Sequence, residues 1–122
     1  MRVLNSVPDP RYGGPQQRSL SVAREIHEEG IETVFLIPKG SDEFDEKASR
    51  DGFETVRITL PRIRSPKNVE GNVEFLRRFR SSTYRVGEVI DDWNIDVVHA
   101  NGPVNYQVAM ATNRSTSALV WH

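Results

Sequence analysis

Three histidines and no cysteine limit the chemistry open to this 122-residue sequence. Without cysteine there is no thiolate nucleophile, no disulfide framework and no cysteine-based zinc site. His27, His99 and His122 lie too far apart for an HxxxH or similar ligand spacing, so no metal site is expected. What remains for a histidine is hydrogen bonding or proton transfer near neutral pH. Two glycine-bearing stretches accompany them. "YGGPQQ" holds Gly13 and Gly14, and "HANGP" holds His99, Asn101 and Gly102. Glycine lets backbone N–H groups approach a ligand with no side chain between, and a helix N-terminus favours anions. Each feature also has a plainer reading. Gly13-Gly14 serves equally as a turn and helix start. His99 fits a hydrogen-bonded core histidine, Asn101-Gly102 a common turn pair, and His122 a frayed terminus.

The elements that must carry these residues follow from periodicity. "RVLNSV" reads as a short strand, and Pro15 to about Glu29 as a helix with Leu20, Ala23 and Ile26 on one face and Val22 at its edge. Pro15 suits a first helical position and Gly30 a C-terminal stop. "ETVFLIP" is a continuous apolar run, as in a strand buried on both faces. "KGSDEFDEKASRDG" is polar and acidic and reads as loop. "FETVRITLP" alternates like a half-buried strand near a sheet edge. Val69, Val73, Leu76, Phe79, Thr83, Val86, Ile90 and Trp93 recur at steps of three and four, predicting a long amphipathic helix with a break near Ser81-Ser82. "IDVVHA" is again a buried-type strand. A short helix with Val104, Val108 and Ala111 inward follows, and then the strand "SALVWH".

This alternation predicts an α/β fold, a Rossmann-like doubly wound parallel sheet of strand order 3-2-1-4-5 with helices on both faces. At 122 residues the chain makes a single domain. Ligands of such sheets bind beyond the carboxyl ends of the strands, at the switch point between strands 1 and 4. The Gly13-Gly14 loop, His99 to Gly102, and His122 all project there. Dinucleotide binding does not fit, because the turn is not G-x-G-x-x-G and strand 2 ends Pro38-Lys39-Gly40 without an acid. A P-loop is absent, and the acids of a receiver-type phosphoacceptor site are missing from strands 1 and 3.

"RVLNSVPDPRYGGPQQRSLSVAREIHEEGIETVFLIP" resembles the opening of the N-terminal domain of family 4 glycosyltransferases of the GT-B fold. There, a strand, a loop ending in Gly-Gly, a helix and G-x-x-V-x-x-x-x-P follow in this order. "DVVHANGP" is similar to that family's fourth strand and turn, often D-V-V-H-x-H, and "SALVWH" to a strand closing on a histidine. The resemblance spans nearly the whole chain. It implies half of a GT-B architecture, with residues 1–122 as the acceptor-side domain of a retaining transferase. The donor would be a nucleotide diphosphate sugar, with no metal required. Gly13 and Gly14 would lie against the donor diphosphate and the acceptor. His122, the catalytic candidate, would bond near the transferred sugar. Asn101 stands where many members have a second histidine, beside Gly102, and His99 would support the site. The family's second Rossmann-like domain, with its Glu-x7-Glu motif and most of the nucleotide-sugar contacts, is not in this sequence. The implied expectation is an isolated chain with little or no transferase activity, whose C-terminal partner domain is missing or separate.

The acceptor, a glycan or a lipid-linked molecule, leaves one trace. Arg57, Arg62, Arg64, Lys67, Arg77, Arg78, Arg80 and Arg85 face only Glu70 and Glu74 over that segment. This reads either as a solvated helix face or as a basic surface for a phosphorylated or lipid-linked acceptor at a membrane. The net charge of −1 gives no global field for nucleic acid. The N-terminal apolar run is too short for a signal-peptide core and no run approaches the ~20 residues of a span, so the expected location is cytoplasmic, or peripheral at the inner membrane face. The alternative reading is a non-catalytic Rossmann-like module that binds a ligand or partner.

Overall fold

The computed structural model describes residues 1–59, 69–101 and 106–121. Gly102, Val104, His122, Arg62, Arg64 and Lys67 lie outside the described residues. The elements run β1 (Arg2–Ser6), α1 (Gly14–Glu28), β2 (Glu32–Ile37), α2 (Asp42–Arg50), β3 (Glu54–Arg57), α3 (Val69–Asp92), β4 (Val97–Ala100), α4 (Tyr106–Asn113) and β5 (Ala118–Trp121). Among the described residues, the strands form one sheet in the order β3-β2-β1-β4-β5, with every pairing parallel. The doubly wound topology expected from the alternation is therefore the one observed.

Because β2 is central, residues of both parities along it are buried, and they feed two separate cores. Val34 and Leu36 join Leu4, Val98 and Ala100 beneath Val86, Val89 and Ile90 of α3 and Val108 and Ala111 of α4. Phe35 and Ile37 point the other way, against Leu20 and Ala23 of α1 and Phe44 and Ala48 of α2. Phe35 meets Phe44 and Phe53 edge-on, with centroids 5.0 and 5.7 Å away, a favoured aromatic geometry. At the end of α1, Gly30 takes φ +83°, the left-handed stop the sequence suggested.

Three local readings are corrected. The polar stretch after β2 is largely not loop, since Asp42–Arg50 forms α2. Two apolar residues at i and i+4, Phe44 and Ala48, suffice to seat it on the sheet. Three acids in its first turn and Lys47 and Arg50 in its last oppose the helix dipole with the favourable sign. The helix α3 also runs unbroken through Ser81-Ser82. There the hydroxyls are satisfied without breaking the turn, for Ser82 Oγ donates to the Thr59 carbonyl at 2.9 Å and Thr83 Oγ1 to that of Phe79 at 2.8 Å. Finally, Val73 and Leu76 do not face the core, being 63% and 64% exposed. Their periodicity is genuine, but among the described residues the buried apolar positions of α3 are Val86, Val89 and Ile90.

Candidate functional site

The switch point between β1 and β4 is built around two asparagines. In parallel register Asn5 lies beside His99 and Ser6 beside Ala100, so the side chains of Asn5 and His99 stand on the same face of the sheet. That is the face of Phe35, Asn5's partner on β2, and hence of α1 and α2. One step beyond β4, the Asn101 N–H donates to the Ser6 carbonyl at 3.2 Å and prolongs the ladder past the strand end. The Asn101 side-chain nitrogen turns back across β1, donating to Asn5 Oδ1 at 2.5 Å and to the Ser6 carbonyl at 3.1 Å. Asn5 and Ser6 are buried, and a buried polar group left unpaired costs about 1–3 kcal/mol. Asn101 thus ties the floor of the crevice together. A histidine ring could not donate from one nitrogen to two acceptors in this way.

The glycine loop leaves β1 through Val7 and returns into α1 at Gly14. It is pinned at three places. Asp9 holds Arg11 through both carboxylate oxygens, an exposed pair that raises the Arg11 pKa through hydrogen bond and charge. Tyr12 packs on Phe44 of α2, and the Lys47 ammonium stands 4.9 Å over the Tyr12 ring. Gln16 is 4% exposed and takes the Gly13 N–H on Oε1 at 3.1 Å, while its Nε2 reaches the Asp9 carbonyl at 3.4 Å. This is half of a capping box, because Gly13 has no side chain to return the bond. The helix α2 therefore does more than fill the face of the sheet: it positions the loop.

Gly13 is not demanded by the fold's own sterics, whereas Gly14 is helical and stands before Pro15, where a Cβ is disfavoured. Gly13 has φ −149° and ψ −160°, extended backbone that any residue adopts. A Cβ there would come no nearer than 3.7 Å, to Gln16 Oε1, and one on Gly14 would meet nothing within 4 Å. The left-handed glycines are elsewhere, at Gly30, Gly40 and Gly52. Among the described residues, nothing closer crowds the positions that side chains at Gly13 and Gly14 would take.

Of the residues singled out from the sequence, Gly13, Gly14, His99 and Asn101 are carried on the loop after β1 and on the end of β4, the two sides of the switch point. Gly102 and His122 lie outside the described residues. Two residues that complete the site were not singled out. Asn5 and Gln16 are polar positions in otherwise ordinary strand and helix patterns, and their burial is a tertiary fact. For Gln16 the capping-box spacing from Gly13 was the available signal. Among the described residues, no group of three or more histidines and carboxylates is placed to hold a metal ion.

Residues 13–122 match the glycosyl transferase 4-like domain. The chain belongs to that family. No curated protein matches the sequence. Among solved structures it is similar to a glycosyltransferase from Rickettsia africae, with a TM-score of 0.73 and 16% identity over 98% of this chain and 28% of that one. It is similar to MurG of Acinetobacter baumannii, with a TM-score of 0.75 and 14% identity over 99% of this chain and 34% of the other. A third is the UDP-GlcNAc 2-epimerase of Neisseria meningitidis, solved bound to UDP-GlcNAc, with a TM-score of 0.59 and 16% identity over 99% and 32%. The likeness is one of fold, the Rossmann-like half of a GT-B arrangement. The glycosyl transferase 4-like chain spans about a third or less of the length of these proteins.

Proposed function

We propose that this glycosyl transferase 4-like domain is the acceptor-side half of a retaining glycosyltransferase. It moves a sugar from a nucleotide diphosphate sugar to an acceptor, and it is inactive without a second, donor-binding Rossmann-like domain. The observation that carries the reading is the glycine loop. This chain has Gly13 at the switch point, where the extended backbone and the packing leave room for a side chain. Room of that kind is useful to a ligand that must approach the backbone.

In this reading the N–H groups at the start of α1 and the helix dipole act on the donor diphosphate. Asn5, Asn101 and Gln16 hold the floor rigid. His122 bonds near the transferred sugar, and His99 and Gly102 serve substrate binding. No metal is required, because backbone N–H groups and the second domain supply the counter-charge to the leaving diphosphate. A crevice with one wall gives weak donor affinity and admits water, so chemistry waits for the opposite domain. The setting is the cytoplasm or the inner face of a membrane. A transfer assay on the isolated 122-residue chain tests the half-enzyme reading. No turnover is expected across a panel of nucleotide diphosphate sugars, and robust transfer overturns it.

A further inference from the structure

A second concave site lies on the same rim of the sheet, two strands away from the switch point. It is a cleft of about 540 Å³ between the ends of β2 and β3 and the middle of α3. Among the described residues, its charged lining is basic, from Lys39, Arg57, Arg78 and Arg85. Thr59 and Ser81 add hydroxyls, while that of Ser82 is committed to the wall itself. The volume falls in the range of small-molecule sites.

Its walls are braced. Ser82 Oγ donates to the Thr59 carbonyl at 2.9 Å, joining α3 to the chain just past β3. Arg57 is held by Asp42 at 2.7 Å and by Asp45 at 2.6 Å, both on α2. Those two carboxylates answer the charge of Arg57. Among the described residues, Lys39 and Arg85 enter no ion pair. Two uncompensated cations, on different elements and facing one concavity, focus a positive potential.

We propose that this cleft binds a phosphate group of the acceptor. A phosphate monoester carries about −1.5 to −2 charge at pH 7 and three acceptor oxygens. It therefore matches the two uncompensated cations together with the hydroxyls better than a singly charged planar carboxylate does. Position agrees with this choice. Lys39 and Thr59 follow the carboxyl ends of β2 and β3, so the cleft opens on the same rim as the Gly13-Gly14 loop. Two strand spacings, ~10 Å, separate β3 from β1. A phosphate anchored beside β3 leaves the rest of the acceptor directed along the rim to the switch point. The inference rests on the transferase reading for the word acceptor, whereas the phosphate site itself does not.

The test is a ¹H–¹⁵N NMR titration of the chain with methyl phosphate, against acetate at equal ionic strength. Saturable shifts of the Lys39, Thr59, Ser81 and Arg85 amides with methyl phosphate alone are expected. The double variant Lys39→Gln/Arg85→Gln weakens that binding about tenfold or more, while Arg114→Gln, near the opposite end of the sheet, leaves it unchanged. A second arm identifies the source of the phosphate. Phosphatidic acid vesicles, whose headgroup is a phosphate monoester, that displace methyl phosphate from the cleft mark a lipid headgroup, and vesicles that do not mark a soluble phosphorylated acceptor; either result upholds the site. No saturable shifts in the wild-type chain, equal binding of acetate, or vesicle binding that survives in the double variant without any methyl phosphate binding overturns it. Because no turnover is read, failure of the transferase assay and failure of this titration are distinct outcomes.

Discussion

The glycine at position 13 is the most informative residue to replace, and serine is the replacement. Gly13 is the N-cap of α1, where serine is among the favoured residues because its hydroxyl accepts a backbone N–H of the first turn. The backbone there is extended, and a new Cβ would stand 3.7 Å from Gln16 Oε1, an ordinary contact. Serine for glycine at an N-cap is worth a few tenths of a kcal/mol. The lowered entropy of the unfolded chain adds about 0.4–1 kcal/mol. Gly13→Ser should thus stabilise the domain by about 0.6–1.4 kcal/mol, a rise of roughly 2–8 °C in Tm for a domain of this size. Gly14 is a less clean test, since Pro15 follows it and disfavours helical backbone for a preceding residue with a Cβ. Urea unfolding followed by circular dichroism reads the stability. In a polypeptide that also carries the donor domain, the same variant should lower sugar transfer, because the serine side chain occupies the space left for the ligand. A Gly13→Ser chain that is destabilised by more than about 1 kcal/mol would refute the reasoning, as it would show that the fold itself requires glycine here. So would a variant that is stabilised and transfers sugar as fast as the parent.

Three further outcomes follow from the packing. Asn101→Ala removes both side-chain bonds to β1 and should cost about 1–2 kcal/mol in urea unfolding; a cost near zero would mean that the floor is not held there. Val86→Ala should cost about 2 kcal/mol, whereas Leu76→Ser should change stability by less than about 0.5 kcal/mol, because Val86 is fully buried and Leu76 is 64% exposed. Equal costs would contradict the observed seating of α3. The Asp45 pKa is lowered by the hydrogen bonds from Thr55 and Arg57, with the Arg57 charge adding to them. Its contribution to stability is therefore present above the ordinary aspartate value of about 3.9 and is lost as the pH falls through the folded-state value. Asp45→Asn should flatten the acid limb of a stability–pH profile, and an unchanged limb would remove Asp45 from that account.

The parts of the fold legible in the sequence are those in which burial follows a simple period. Thr33 to Ile37 are buried on both faces, and the run "TVFLI" announces it. Leu20 and Ala23 are buried at helical spacing, with Ile26 half-buried beside them, and the pattern of α1 announces that too. By contrast α2 has nine residues, of which six are charged. Two apolar side chains do not rise above that background, although the acidic first turn and basic last turn are a dipole signature. In α3 the apolar stripe includes Val73 and Leu76, which are exposed, and periodicity carries no information about where the opposing layer lies. At the site, the glycine loop and Asn101 stand out in the sequence because their residue types are unusual for their elements. The roles of Asn5 and Gln16 do not, since asparagine in a strand or glutamine in a helix is defined by its partner. Asn5 and Asn101 are far apart in sequence and meet only through the parallel pairing of β1 with β4.

The central claim is that this domain is one wall of a sugar-transfer crevice. Its most direct test is the anomeric product of a reaction, followed by ¹H NMR, in which the chain is joined to a donor-side Rossmann-like domain carrying Glu-x7-Glu. The account predicts transfer from a nucleotide diphosphate sugar with retained anomeric configuration, undiminished by EDTA and slowed by Gly13→Ser. Transfer that is inverting, or that proceeds equally well when the glycosyl transferase 4-like domain is left out, would contradict it.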